Sequence, residues 1–252
     1  EIIREINLQR IHTNEIQLPY TVTKEYITDL FLNKSKIQIK KIASTPLCGI
    51  VNGLYATTAG IGGLTIIQVF KTISDSKELK LDFTGSQGDV MKESIKCAKT
   101  IAWNIIPQSI KNKIKDDWEQ NGSYGLHIHC PDTSTPKDGP SAGGAITLGI
   151  ISRLWDLVIN NKIAMTGEID LNGNITAIGG VYSKVEGAFM AGVELVLLPE
   201  ENRVDYNKIK DKLLKPNSTD EYKIKVKFIN TIYDILENAL MDHSIIFEKN
   251  IS

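Results

Sequence analysis

Apolar positions along the chain follow two periods. Helical spacing recurs at Val90, Ile95, Ala98, Ile101, Ala102 and Ile105, which predicts a helix over Asp89–Ile106 stopped by Pro107. A more charged helix follows over Ser109–Gln120 and ends at Asn121-Gly122, and Thr231–Met241 forms another with Ile232, Ile235, Leu236 and Leu240 on one face. Thr23–Leu32 carries the same spacing at Tyr26, Ile27, Leu30 and Phe31. Strand-like runs of β-branched and apolar residues occupy Gly49–Thr58, Leu64–Ile73 and Leu79–Phe83, the first two flanking the cluster Gly60-Ile61-Gly62-Gly63. Leu126–Cys130 alternates, and Lys162–Ile169 and Ile175–Ile178 flank a hairpin turn marked by Asn172-Gly173. A short helix carrying Lys184 follows Gly179-Gly180. Val193–Leu198 is continuously apolar and closed by Pro199, whereas Tyr222, Ile224, Val226 and Phe228 alternate with lysines as an edge strand does. Strands alternating with helices from about residue 89 onward, after a β-rich N-terminal half, predict an α/β (α+β) fold with a mixed β-sheet and packed helices.

Composition changes this picture little. At 252 residues the chain accommodates one large domain, or a domain and an appendage, with a substantial core. Residues 1–45 differ in texture from the rest: Ile2–Ile11 reads as a short mixed segment, and the β-rich pattern starts near Cys48. The formal net charge of −1 gives no electrostatic case for nucleic acid or membrane, and basic runs such as Lys34–Lys41 are local. Cys48, Cys97 and Cys130 have no paired spacing, which fits a reducing, intracellular compartment. The chain starts at Glu1 without signal- or transit-peptide character and reads as a piece of something longer.

The candidate chemistry centres on Pro136-Lys137-Asp138-Gly139-Pro140-Ser141-Ala142-Gly143-Gly144, a rigid loop leading into the apolar segment Ala145–Ile159. Pro140 suits the first position of a helix, where its missing N–H is not needed. Ser141 would then sit on the first turn, where unpaired N–H groups and the helix dipole can hold an oxyanion. Taken alone, the loop reads better as a helix start at which Asp138 or Ser141 is an ordinary cap. His127 and His129 share one face of a strand, a spacing known in metal sites, but structural or substrate-side histidines are the stronger reading and no metal is expected. The glycine cluster lies between two strand-like runs, and the chain has no Gly-Lys dipeptide, which excludes a Walker A phosphate loop.

Several blocks in order carry a family resemblance: Thr84–Ser94, His127–Pro131, Thr135–Gly143, Met165–Gly173, and Ile178-Gly179-Gly180 with Lys184. Over roughly residues 46–243 they resemble the proteolytic domain of Lon proteases, while residues 1–45 are similar to the end of the ATPase module's small helical subdomain and the linker after it. The resemblance implies a serine endopeptidase with a Ser-Lys dyad, Ser141 as nucleophile and Lys184 as general base. A lysine acts as a base only when desolvation lowers its pKa, and Val181, Val185, Ala188 and Phe189 offer a dry neighbourhood. Thr166 matches the threonine that orients the lysine. Asp138 and Glu168 are placed beside the site, where either could hold Lys184 charged, and Asp138 paired with Lys184 would gate activity. Gly139, Pro140, His127 and His129 match positions near the substrate cleft. Tyr182 and Ser183 depart from the Lys and Glu common before the catalytic lysine, and Tyr55-Ala56 from a Gly-Leu-Ala-Trp sequence. The family further implies unfolded protein substrates, a homohexamer and an ATPase module that binds ATP and Mg, with no cofactor in this segment. The rival readings are a catalytically inactive Lon-like scaffold for ring assembly or DNA repair, and a Ser-His hydrolase using His129.

Overall fold

The computed structural model describes residues 2–13, 19, 21–27, 40–131, 138–213 and 224–244. Leu30, Phe31, most of Lys34–Lys41, Asp132, Thr135–Lys137 and Tyr222–Lys223 lie outside the described residues. The chain divides into two units, residues 1–39 and 40–252. In the first, α1 (Ile2–Thr13) and the single turn α2 (Lys24–Ile27) are helical. The segment read as mixed, Ile2–Ile11, is thus helical; its apolar residues do not gather on one face, so periodicity does not reveal it.

The second unit holds eleven strands among its described residues, most of them short. In chain order they are β1 (Leu47–Cys48), β2 (Ile50–Ala56), β3 (Gly62–Ile73), β4 (Leu81–Thr84), β5 (Tyr124–His129) and β6 (Val158–Ile159). There follow β7 (Ile163–Met165), β8 (Glu168–Ile169), β9 (Ile175–Thr176), β10 (Leu195–Pro199) and β11 (Lys225–Ile229). Seven form one sheet in the order β11-β10-β7-β2-β3-β5-β4, and β1–β6 and β8–β9 are separate antiparallel pairs. Within the large sheet every neighbouring pair is parallel except those of β3, which runs against both β2 and β5. The lysines of the edge strand β11, Lys225 and Lys227, are exposed, a device that keeps a free edge from pairing further.

Side chains alternate across the strands, so the sheet feeds two cores. Val51, Ile67, Val69, Leu126, Ile128 and Leu197 point to one face. There they meet α3 (Asp89–Ile105), α4 (Gln108–Asn121), α5 (Gly143–Trp155) and α8 (Ile232–Ala239). Leu54, Leu64, Ala164, Val196 and Leu198 point to the other, against α6 (Val181–Ala191), with Tyr206 and Ile209 of α7 (Arg203–Leu213) at its margin. The sheet is therefore sandwiched between helical layers, the arrangement its near-continuous apolar strands require. Each fully buried Leu or Ile contributes about 1.5–3 kcal/mol, so these layers dominate the stability.

Two sequence expectations are redrawn. The apolar run Ala145–Ile159 is not one element. Helix α5 is buried on nearly every side and stops where Asp156 turns left-handed at φ 56°, after which β6 begins. Likewise Lys162–Ile169 is two strands. Thr166 N–H still reaches Leu197 O of β10, and the chain leaves the sheet at Gly167, whose N–H bonds instead to Ser141 O, at 2.8 Å. That break delivers Thr166 to the loop before α5.

Candidate active site

Pro140 stands at the first position of a 3-10 turn, Pro140–Ala142, that runs directly into α5. Ser141 therefore projects from the leading turn of a long helix. Its carbonyl is held twice, by Gly167 N–H at 2.8 Å and by the Thr166 hydroxyl at 3.1 Å. Gly144 N–H bonds back to Gly167 O at 3.1 Å, so the turn is laced to the segment after β7 in both directions.

Lys184 enters from the opposite side on α6, whose first turn follows the left-handed Gly180. Its side chain runs inward to Nζ, 3.1 Å from Ser141 Oγ and 3.1 Å from Thr166 Oγ1. Lys184 is 4% exposed and Thr166 1%, and among the described residues no carboxylate forms an ion pair with the amine. Removal from water without a counter-charge disfavours the ammonium, and the Lys184 pKa falls from 10.5 to about 8. The hydrogen-bond directions are constrained. A carbonyl only accepts, so the Thr166 proton is committed to Ser141 O and Thr166 can only accept from Lys184. A neutral amine that donates there keeps its lone pair for Ser141.

Asp138 and Glu168 both line the cleft that opens over this pair. Neither pairs with Lys184. Asp138 Oδ1 accepts from Met91 N–H and from Gly139 N–H, both at 3.0 Å. Its carboxylate thus caps the first turn of α3, whose own N-cap residue, Gly88, supplies no side chain; unpaired N–H groups and the helix dipole make that end attractive to an anion. Glu168 is exposed on β8 at the rim.

A cleft of about 770 Å³ opens over Ser141 and Lys184. Its walls are Leu54–Thr58 of β2 and the following turn, Asp138–Ala142, and Ala177–Gly180, with Met91 and Glu168 alongside. Gly139 and Pro140 line it, whereas His127 and His129 do not. Those histidines lie on β5, where Thr84 Oγ1 is 2.7 Å from His127 Nε2 and 2.6 Å from His129 Nδ1. One hydroxyl proton serves at most one imidazole, so the other must donate. Among the described residues no cluster of three His, Cys, Asp or Glu is placed to hold a metal. Met91 and Ala177–Gly180 were not assigned to the cleft from sequence, although Met91 and Ile178–Gly180 fall within the resembling blocks, since only tertiary packing brings them to Ser141.

Comparison with known proteins gives the class first: the family model that matches is that of a proteolytic domain. The chain belongs to the Lon protease family, and the model of the Lon protease (S16) C-terminal proteolytic domain matches residues 21–242. It is 38% identical over 243 residues to a Lon protease homolog of Acanthamoeba polyphaga mimivirus, covering 93% of this chain and 23% of that protein. The Lon protease of Fervidobacterium nodosum is 34% identical over 240 residues, 95% of this chain and 27% of the relative. That of Fusobacterium nucleatum is 41% identical over 212 residues, 82% and 26% respectively. The chain thus spans about a quarter of the length of the relatives it matches. Among the described residues no helix is long and apolar enough to cross a membrane.

Proposed function

We propose that this chain is the peptide-hydrolysing module of a Lon-type protease, with Ser141 as nucleophile and Lys184 as general base. The observation that carries the reading is a buried amine, paired with no carboxylate among the described residues, at 3.1 Å from a serine hydroxyl in a cleft. The neutral Lys184 takes the Ser141 proton as Oγ attacks the peptide carbonyl, giving a tetrahedral intermediate. The N-terminal end of the turn and of α5 faces the developing oxyanion, where backbone N–H groups and the helix dipole stabilise it. Lys184 then returns the proton to the leaving amine. Water, deprotonated by the same amine, hydrolyses the acyl-serine ester and restores Ser141.

Extended, unfolded polypeptide suits the cleft. β7 pairs with β2 only at Asn52 and Gly53, so that edge of β2 beyond Gly53 lies open beside the site for a substrate backbone. Unfolding belongs to another part of the full-length protein. The residues here do not fit ATP and Mg: the glycine cluster sits in the β2–β3 hairpin instead of before a helix, and no Gly-Lys dipeptide exists. We assign that work to an ATPase module of the longer chain, with assembly into a homohexameric chamber. An inactive scaffold would have no use for Ser141, Lys184 and Thr166 in mutual contact.

Cleavage of an unstructured fluorogenic peptide tests this. Ser141→Ala and Lys184→Ala each abolish it and His129→Ala leaves it intact; activity surviving either of the first two would overturn the dyad. Turnover of a folded protein by this chain alone would overturn the division of labour.

A further inference from the structure

The cluster Gly60-Ile61-Gly62-Gly63 has no part in the chemistry above, yet it lies against the helix that carries Lys184. A Cβ added at Gly62 would sit 1.8 Å from Ser183 O and 3.0 Å from Lys184 N. One added at Gly187 would sit 2.3 Å from Gly63 N and 2.4 Å from Gly62 C. Gly187 stands four residues after Ser183, so both fall on one face of α6. That face rests on the start of β3 backbone against backbone, closer than any side chain allows. The Ser183 hydroxyl adds a tether, donating to Gly60 O at 2.9 Å. The turn is itself braced, with Thr57 N–H on Ile61 O at 2.8 Å and Ile61 N–H on Thr57 Oγ1 at 3.2 Å.

We propose that the β2–β3 hairpin is the positioning element for the Lys184 amine, with Gly62, Gly187 and Ser183 setting how deep α6 lies and hence where Nζ meets Ser141. The same hairpin, through Leu54–Thr58, walls the cleft, so peptide-binding edge and base form one rigid piece. Gly62, Gly187 and Ser183 are positioning residues. Among the described residues the Ser183 hydroxyl makes the one side-chain bond of this contact.

Lifting α6 from the hairpin admits water to Lys184 and restores its affinity for a proton. Among the described residues the other titratable groups have partners elsewhere or stand apart from the amine. Asp138, on the turn before α5, and Glu168, on β8, line the cleft without pairing with the amine; on α6 the Tyr182 hydroxyl donates to Glu186; Glu201 accepts from Ala177 N–H at the cleft wall; the hairpin carries Tyr55 in that wall and Lys71 over the Tyr124 ring. A change in its titration therefore reports hydration.

The inference deepens the Ser141–Lys184 reading and rests on it for the rate alone. The test is NMR of the chain labelled at lysine Cε, the Lys184 signal being assigned by its loss in Lys184→Met, alongside peptidase kinetics. Gly187→Ala is expected to raise the Lys184 pKa by about 1 unit and lower kcat about tenfold, with KM changed less than about threefold. Ser183→Ala, which removes only the tether, shifts both in the same direction by about half as much on the logarithmic scale. Folded variants in which Lys184 titrates as in the parent overturn the proposal, and if Gly187→Ala does not fold, Ser183→Ala decides. Peptidase activity that persists in Lys184→Met defeats the dyad reading, while the titration still judges the hairpin.

Discussion

The Thr166 hydroxyl donates to the backbone carbonyl of Ser141 at 3.1 Å, so Thr166 holds the nucleophile's own peptide unit while its oxygen accepts from Lys184. One side chain fixes both partners. Thr166→Val removes both bonds with little change in volume and frees the amine to rotate. A fall in kcat of about 10- to 100-fold is expected, with Thr166→Ser recovering most of it. Steady-state kinetics on a short peptide checks this, and equal loss in both variants would show that shape, not the hydroxyl, matters.

The amine must be neutral to act. With the Lys184 pKa brought to about 8 by burial, kcat/KM should rise with pH through about 8 and then level. A pH–rate profile flat from 6 to 9 would contradict an amine base.

The same burial predicts a stability change. Lys184 has a folded pKa of about 8 against about 10.5 unfolded, so between those values the unfolded chain binds more protons and stability rises with pH. Below about pH 8 the penalty is present in full, on the order of 3 kcal/mol. Lys184→Met should therefore be more stable than the parent in urea at pH 7, by up to about that amount, and the gain should shrink toward pH 10. A variant less stable at pH 7 would mean the ammonium is better solvated than its 4% exposure indicates.

Asp138 gives a fourth test. Its carboxylate caps α3 at Met91 and does not touch Lys184, so Asp138→Ala should lower stability by about 1 kcal/mol, with Asp138→Asn milder because an oxygen acceptor remains. Neither should move the acidic limb of the pH profile. A limb displaced to lower pH in Asp138→Asn would restore the gating role.

What the sequence revealed and what it hid follow from range. The turn at Pro140 and the hairpin at Asn172-Gly173 are local chemistry, and each lies where local rules put it; the helix expected from Thr231 opens there, with a full capping box between Thr231 and Asp234. The order of the seven strands is not local, and nothing in β4 or β5 announces that they pair in parallel at an edge. α7 escapes notice because Arg203–Leu213 is mostly charged, with little apolar stripe to read. The break at Thr166-Gly167 is invisible within an apolar run, since its cause is the carbonyl of Ser141, 26 residues earlier in the chain, accepting from Gly167. Asp138 near Ser141 suggested an electrostatic partner for Lys184. The competing attraction, the bare end of α3, is supplied by a residue 47 positions away.

Because β3 alone is reversed, the sheet's strands otherwise finish on the rim that carries Ser141, and β3 begins there. The other rim is made of Ser74–Lys80, Gly122-Ser123 and Asn160–Lys162, tied by bonds such as Ser74 N–H to Ser123 O at 3.2 Å. Fluorophores or surface anchors attached at the exposed Asp75 or Lys77 would hang a full strand length from the reacting atoms, giving engineers a handle remote from the chemistry.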